Sequence, residues 1–360
     1  MKKLSTINAA AAHDVRFVGV DLAKNVFAVH AVNTQGKPCL VRPNVRRDQL
    51  IALLAQLPPC VIGMEACSGA HHLARALRQL GHTPKLMAPK FVAPYRMQGA
   101  NGKNDANDAA AICEAVSRPA MRFVPIKSVD AQAALTLHRV RQGFVEERTA
   151  TINRLRGLMS EFGVVLPLKA STVRRQACGA CEALPVWVRR AVDDLLSHIA
   201  ALDGRVAEYD GHIKQSAIDD DACQRLMRLA GVGQVTATAL TATVGNGHDF
   251  RNGRQLAAWI GLFPGRHGSG GKTRLGRITK AGDRYLRTLL VMGARSVLAL
   301  AASRADAMSR WALALQARVG YGKAVVAIAA KNARLAWAML AKGDQFRSPT
   351  AAGQACRPAG

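Results

Sequence analysis

The sequence predicts an α/β N-terminal domain, a helical, coiled-coil-like middle and a mainly α C-terminal domain. Three observations carry this reading. In the first third, short apolar runs alternate with segments of helical period, the pattern of strands and helices sharing a mainly parallel sheet flank. Between about Ser128 and Asp221, leucine-type residues recur at heptad-like spacing with charges between them. From Ala222 onward the chain is alanine-rich and helical, broken by one block of glycines and basic residues.

The elements follow in order. "RFVGVDLAKNVFAVHAVNTQGKPCLVRPN" reads as two or three strands, with Gln35-Gly36 as a hairpin turn. "RRDQLIALLAQL" has helical period, "CVIGMEA" is a short buried strand, and "GAHHLARALRQLG" is a helix closed by Gly81. "TPKLMAP" is another strand, and "NDANDAAAICEAV" is a helix opening on an Asx-rich cap. The middle holds two long antiparallel helices, with Pro167 and Pro185 bracketing the turn region between them. Helices are expected near Asp283, Asp306 and Gly322, and Trp259, Trp311 and Trp337 lie on apolar helical faces that suit a core. The boundaries expected are 15–127, 128–221 and 222–345, with a tail at 346–360.

Charge narrows the partners. The 360 residues carry a net +26, and from Ala222 to the end 21 basic residues face 4 Asp and no Glu. Such an excess attracts phosphate backbones through counterion release, which points to nucleic acid. With 49% hydrophobic residues the chain can bury a core. No secretory leader is recognised in "MKKLSTINAAAAHDVRF". The apolar run "LLVMGARSVLALAA" is cut by Arg295 and reads as too short for a bilayer, so a cytoplasmic, nucleoid-associated protein without membrane attachment is expected. Eight scattered cysteines, including the lone "CGAC" at Cys178–Cys181, read as reduced thiols rather than a zinc site.

Four carboxylates stand out. Asp21 and Glu65 each end an apolar strand ("FVGVD", "VIGME"), and Asp105 and Asp108 share one helix face three residues apart. Phosphodiester chemistry uses a hard cation held by a few oxygen ligands with positions left open. Acids at the ends of adjacent strands, closed by a helix pair, have that geometry. Taken singly, each acid also fits a turn, an ion pair or a cap.

The second constellation is "GLFPGRHGSGGKTRLGRITKAGDRYLR", Gly261 to Arg287, where seven basic residues accompany a single acid, Asp283. It reads as a basic loop. Ser269 precedes Gly270 and Gly271, which let a backbone approach a phosphate and offer it amide hydrogens. Arg266, Lys272, Arg274, Arg277 and Lys280, with Arg284 and Arg287 beyond, supply positive charge around a scissile phosphate. Serine becomes a competent nucleophile when a cation or guanidinium groups stabilise the charge it develops. The bland reading makes Ser269 a hydrogen-bond donor in a phosphate-binding loop. Upstream, "LAGVGQVTATAL" resembles a helix-hairpin-helix in which the Gly231 and Gly233 amides meet a DNA backbone, or else an ordinary interhelical turn.

Asp21, Glu65, Asp105 and Asp108, in this order, resemble the DEDD quartet of RuvC-like nucleases of the ribonuclease-H fold. With the serine block, residues 15 to 345 resemble DEDD-type insertion-sequence transposases of the IS-one-ten (IS110) family, which include the Piv-type invertases. The resemblance implies a RuvC-like domain binding Mg²⁺ or Mn²⁺ on the four acids, Ser269 as the nucleophile forming a phosphoserine link to DNA, a tetramer, and guidance by an RNA from the element. Many relatives carry two serines before the glycines. Here His267-Gly268-Ser269 leaves Ser269 alone to fill the role.

The reading is therefore a transposase or recombinase that cuts and rejoins DNA. A metal-dependent junction resolvase using water is the alternative within enzymes. A non-catalytic architectural DNA binder fits less well, since clustered acids gain it nothing.

Overall fold

The computed structural model describes residues 14–96, 105–269 and 272–343. The chain divides into two compact units, residues 1–127 and 128–360.

The first unit is a mixed sheet of six strands in the order β3-β2-β1-β4-β5-β6. The strands are β1 (Val15–Asp21), β2 (Val26–Asn33), β3 (Pro38–Arg46), β4 (Val61–Glu65), β5 (Thr83–Met87) and β6 (Phe123–Val124). Helices α1 (Arg47–Leu54), α2 (Ala70–Gln79) and α3 (Asp105–Ser117) complete it. The three N-terminal strands form an antiparallel meander, while β1, β4 and β5 run parallel at its centre. Central parallel strands are covered on both faces, which is why β1 and β4 read as continuous apolar runs. Val18, Val20, Ile62 and Met64 are fully buried. One core gathers α1 and α2 (Leu50, Leu54, Leu73, Leu77) against the sheet; a second places Ile112, Ala115 and Val116 of α3 near Met87 and Val92.

The second unit is helical except for one ribbon. Its elements are α4 (Val129–Ser160), α5 (Ala170–Ala180), α6 (Val186–Ile218), α7 (Asp221–Leu226), α8 (Gln234–Val244), α9 (Gly253–Trp259), strands β7 (Pro264–Ser269) and β8 (Lys272–Ile278), then α10 (Arg284–Leu300), α11 (Ala307–Val319) and α12 (Tyr321–Lys342). The long helices α4 and α6 pack on each other, tied by Arg148 to Asp203 at 2.9 Å and His198 to Glu147 at 2.9 Å. Near the far end of this pair, α5 closes a small core in which Cys181 is buried beside Leu155 and Val192, while Cys178 is exposed.

Helix α8 packs against both α4 and α6, so the long pair and the C-terminal bundle form one body. His138 of α4 is the buried joint: its Nδ1 lies 3.0 Å from the Tyr285 hydroxyl and its Nε2 2.9 Å from Thr238 Oγ1. Helices α10 and α12 are long and apolar enough to cross a membrane by length and composition, because α10 extends well beyond the apolar run legible in the sequence. Both contribute to the bundle core, through Leu286, Leu290 and Ala294 on α10 and Val325, Ile328 and Ala336 on α12. Trp259, Trp311 and Trp337 pack against the same core.

Acids at helix starts act as caps. Asp283, the single acid of the basic block, accepts from the Leu286 N–H, and Asp306 from those of Met308 and Ser309.

Candidate functional site

In the first unit, β1 and β4 are parallel neighbours with Gly19 paired to Gly63 and Val20 to Met64. Side chains alternate along a strand, so Gly19 and Asp21 share one face of β1, as do Gly63 and Glu65 on β4. Helix α3 crosses that face. A Cβ on Gly19 would stand 2.1 Å from the Ala109 carbonyl oxygen and 2.4 Å from the Cys113 nitrogen; one on Gly63 would stand 2.7 Å from Val116 Cβ. The two glycines let the helix lie against bare backbone. Its first turn, carrying Asp105 and Asp108, is thereby brought to the strand ends that carry Asp21 and Glu65.

The cluster is sensed in the acids themselves. Burial pushes the Asp21 carboxyl above the ordinary aspartate range, and Asp108 and Asp105 push it further. Glu65 is likewise raised by burial, opposed by Arg96 and reinforced by Asp21 and Asp108. Arg96, at the exit of the 3₁₀ turn Ala93–Tyr95, stands between two of the acids. Its Nη2 donates to Glu65 Oε1 at 2.8 Å, and its Nε lies 2.9 Å from Asp108 Oδ1 as an ion pair without hydrogen-bond alignment.

Hard carboxylate oxygens from two strand ends and a helix start suit a divalent cation in kind. Among the described residues, no three histidine, cysteine or acid side chains stand close enough to enclose a metal as placed. Arg96 holds Glu65 and Asp108 to its own guanidinium.

In the second unit, the serine block is a two-stranded antiparallel ribbon and not the loop expected. Gly268 pairs with Thr273 and Ser269 with Lys272, so Ser269 ends β7 at the tip. Two residues separate the strands, a hairpin spacing that "SGGK" fits; Gly270 and Gly271 themselves lie outside the described residues. The strand signal was missing because "RHGS" and "KTRL" carry almost no apolar alternation. Residues 274–277 are exposed on both faces of the pleat, so the outer part of β8 projects from the bundle. The ribbon thus presents Arg274 and Arg277 to solvent, with Arg284 exposed at the start of α10 and Lys280 exposed at the root. Arg266 and Lys272 pair in the ribbon through their backbones; their side chains, and that of Ser269, lie outside the described residues.

Two residues expected to meet nucleic acid are engaged within the fold. Arg287 is half-buried, and its Nη1 donates to the carbonyls of Ile260 at 2.8 Å and Ala281 at 3.2 Å. Gly231, with φ of 82°, packs on α10: its added Cβ would stand 2.5 Å from the Gly293 carbonyl oxygen. Gly233, at the exposed start of α8, has open space around it.

Sequence reasoning missed Gly19, Gly63, Arg96 and the His138 joint. The glycines had a readable signal, the repeated pattern of a glycine two positions before a strand-ending acid in "VGVD" and "IGME". Arg96 had none, being one arginine among many.

Known proteins are similar to both units of the chain. The transposase family of DEDD type found in IS110 elements matches residues 18–163, which include the four acids. The family described as "Transposase IS116/IS110/IS902 family" matches residues 223–313, which include the ribbon. A Pseudomonas aeruginosa protein named "Probable family 20 transposase" is 44% identical over 92% of this chain and 98% of its own length. The transposase for insertion sequence element IS1328 of Yersinia enterocolitica is 37% identical over 92% of this chain and 99% of its own. The transposase for IS1111A of Coxiella burnetii is also 37% identical, over 93% and 92%. Matches of this extent across both units place the chain in the IS110/IS116/IS902 family of insertion-sequence transposases.

Proposed function

We propose that this transposase breaks and rejoins DNA by serine attack, with Asp21, Glu65, Asp105 and Asp108 as a RuvC-like site for Mg²⁺ or Mn²⁺. The observation that carries the metal-dependent part is the gathering of Asp21, Glu65 and Asp108 at the ends of two adjacent strands and the start of a helix. Bound there, the cation would stabilise charge on the phosphoryl oxygens. The position of Ser269 at the tip of a projecting ribbon flanked by Arg274 and Arg277 supports its role as nucleophile.

In this reading the Ser269 Oγ bonds to phosphorus while the bond from phosphorus to the leaving deoxyribose oxygen breaks. The serine proton ends on that oxygen through solvent, leaving a phosphoserine–DNA link. The reverse exchange, by a DNA hydroxyl, rejoins the strand and frees the serine. Arg274 and Arg277, with Lys272, Lys280 and Arg284, hold the phosphates by charge, and in this reading the Gly233 amide at the exposed start of α8 meets the DNA backbone.

One serine per chain against several strand exchanges calls for an oligomer, in our reading a tetramer. The net +26 also suits a guide RNA from the element's own end. The protein would then act on DNA in the bacterial cytoplasm.

The test is adduct trapping with full-length protein, its co-purified nucleic acid, Mg²⁺ and end-labelled element DNA, boiled in detergent. A labelled adduct in wild type, absent in Ser269→Ala and in Asp21→Ala, is expected. Cleavage that leaves no adduct, survives Ser269→Ala and is lost in Asp21→Ala would make the enzyme a hydrolase that uses water.

A further inference from the structure

We infer that Arg287 is a positioning residue for the serine ribbon: it clasps the two stems where they leave the bundle and so fixes where Ser269 is carried. This rests on the serine reading above and adds to it the part of the chain that aims the nucleophile.

The two stems pass one another at unusually short range. A Cβ on Gly261 would stand 2.2 Å from the Ala281 carbonyl oxygen, and one on Gly282 only 1.8 Å from that of Trp259. Each stem therefore crosses the other at a glycine, with backbone in contact with backbone. Backbone hydrogen bonds join them on the ribbon side, from the Thr279 N–H to the Phe263 carbonyl at 2.9 Å and from the Lys280 N–H to the Gly261 carbonyl at 3.2 Å. Lys280 makes that turn with φ of 52°, the one non-glycine residue of positive φ among the described residues. Such a conformation is strained and persists where its surroundings enforce it.

Arg287 supplies that enforcement. It rises from the first turn of α10, whose start is fixed by the Asp283 cap. Its Nη1 bridges Ile260, from the incoming stem, and Ala281, from the outgoing one. One guanidinium thus ties both stems to the bundle helix. A two-stranded ribbon projecting into solvent has little packing of its own, so its direction is set at its root. Displacement at the root is carried along the ribbon to the tip, where Ser269 sits. A reaction that needs an oxygen aligned with a phosphorus tolerates roughly 1 Å of error before losing about 100-fold in rate.

A phosphate-contacting arginine and a positioning arginine make opposite predictions. Losing a phosphate contact weakens DNA binding and lowers the salt slope by about one ion. Losing the clasp leaves binding in place and slows the chemical step. The experiment uses full-length wild type, Arg287→Met, Arg287→Lys and, for contrast, Arg284→Ala, with Ser269→Ala as the blank. DNA affinity is read by fluorescence anisotropy across a salt series. The rate of covalent adduct formation is read in single turnover at saturating DNA.

For Arg287→Met we expect affinity within about 3-fold of wild type, an unchanged salt slope and an adduct rate reduced by about 30- to 100-fold. Arg287→Lys should recover part of the rate, because an ammonium on a shorter reach can hold one carbonyl but not bridge both. Arg284→Ala should show the converse pattern, with a reduced slope. Should Arg287→Met fail to fold, the lysine variant alone decides, on the same split between slope and rate. A reduced slope with a wild-type adduct rate in either Arg287 variant overturns the clasp. Metal-dependent cleavage with no adduct even in wild type removes the serine reading, and the clasp with it. Adducts that form at equal rates in wild type and both Arg287 variants remove the clasp alone.

Discussion

Gly19→Ala tests how the acidic cluster is assembled. The added methyl would stand 2.1 Å from the Ala109 carbonyl oxygen and 2.4 Å from the Cys113 nitrogen, both backbone atoms of α3. Neither can rotate away, so the helix must retreat by roughly 1 Å to restore van der Waals contact, and overpacking of this kind costs about 1–3 kcal/mol. Asp108 immediately precedes Ala109, so the retreat withdraws it from Asp21 and Glu65. For a unit of this size the melting temperature should fall by roughly 4–15 °C. Metal-dependent DNA cleavage should fall by about 100-fold, the penalty for misplacing a catalytic group by about 1 Å. Gly63→Ala is the matched control. Its methyl would stand 2.7 Å from Val116 Cβ and 3.0 Å from Cγ1, so it also presses on α3, but by less than at Gly19 and eight residues from Asp108. Thermal melts and cleavage of labelled DNA on the two variants side by side give the answer. Equal losses, or a milder effect at Gly19, would refute the reasoning that bare backbone at this crossing sets the position of α3.

Asp21→Asn should abolish cleavage yet raise the melting temperature at pH 7. The raised carboxyl means that its ionised form disfavours the folded state, so the gain should fade as pH falls through the raised value and be gone below the ordinary aspartate value near about 4, where both states are protonated. An unchanged melting temperature at pH 7 would contradict the electrostatic assignment. Arg96→Gln should lower the melting temperature in metal-free buffer and tighten Mn²⁺ binding measured by titration calorimetry, since Glu65 and Asp108 lose their internal partner; weaker binding would instead make Arg96 an organiser of the ligands. His138, held neutral by burial with its pKa lowered to about 4, should make wild type lose stability as pH falls from about 6.5 toward 4, because the unfolded chain takes up the proton first. That loss amounts to roughly 3 kcal/mol, and His138→Gln should flatten it in melts across this range.

What the sequence disclosed follows from which contacts are local. Asp21 and Glu65 were legible because each closes a buried strand, where an acid interrupts an apolar run. Asp105 and Asp108 were legible because a helix start has a cap signature. The proximity of all four depends on a packing event between β1 and a helix roughly ninety residues later, and only the glycines at 19 and 63 hint at it. The ribbon was illegible because exposed polar strands lack apolar alternation, their pairing being set by backbone hydrogen bonds. Charge alone said nothing of the contacts of Arg287 within the fold. Composition makes every arginine of that block a candidate for phosphate, and only the crossing of the stems at Gly261 and Gly282 shows where its guanidinium is engaged. The same holds at Gly231, whose positive φ serves helix packing against Gly293.

The acidic cluster is hard to explain as a stabilising feature. The chain holds 50 basic residues against 24 acids, so counter-ions for four carboxylates are abundant. Yet among the described residues Arg96 makes the ion pairs to the cluster, with Glu65 and Asp108, and none reaches Asp21. Several other acids are matched closely, as Asp203 is by Arg148 and Arg174, or cap helices, as Asp283 and Asp306 do. Half-buried Asp21 and Glu65, whose proton affinity is raised by burial and by neighbouring acids, oppose folding at neutral pH. Two glycines nevertheless give up side-chain packing in the centre of the sheet so that α3 can approach and enforce this grouping. Both sacrifices run in the same direction, toward concentrated negative charge at one sheet edge. A cation drawn to that edge would reverse the electrostatic penalty, and the rise in stability expected for Asp21→Asn measures how far the fold is held from its own optimum to keep the edge acidic.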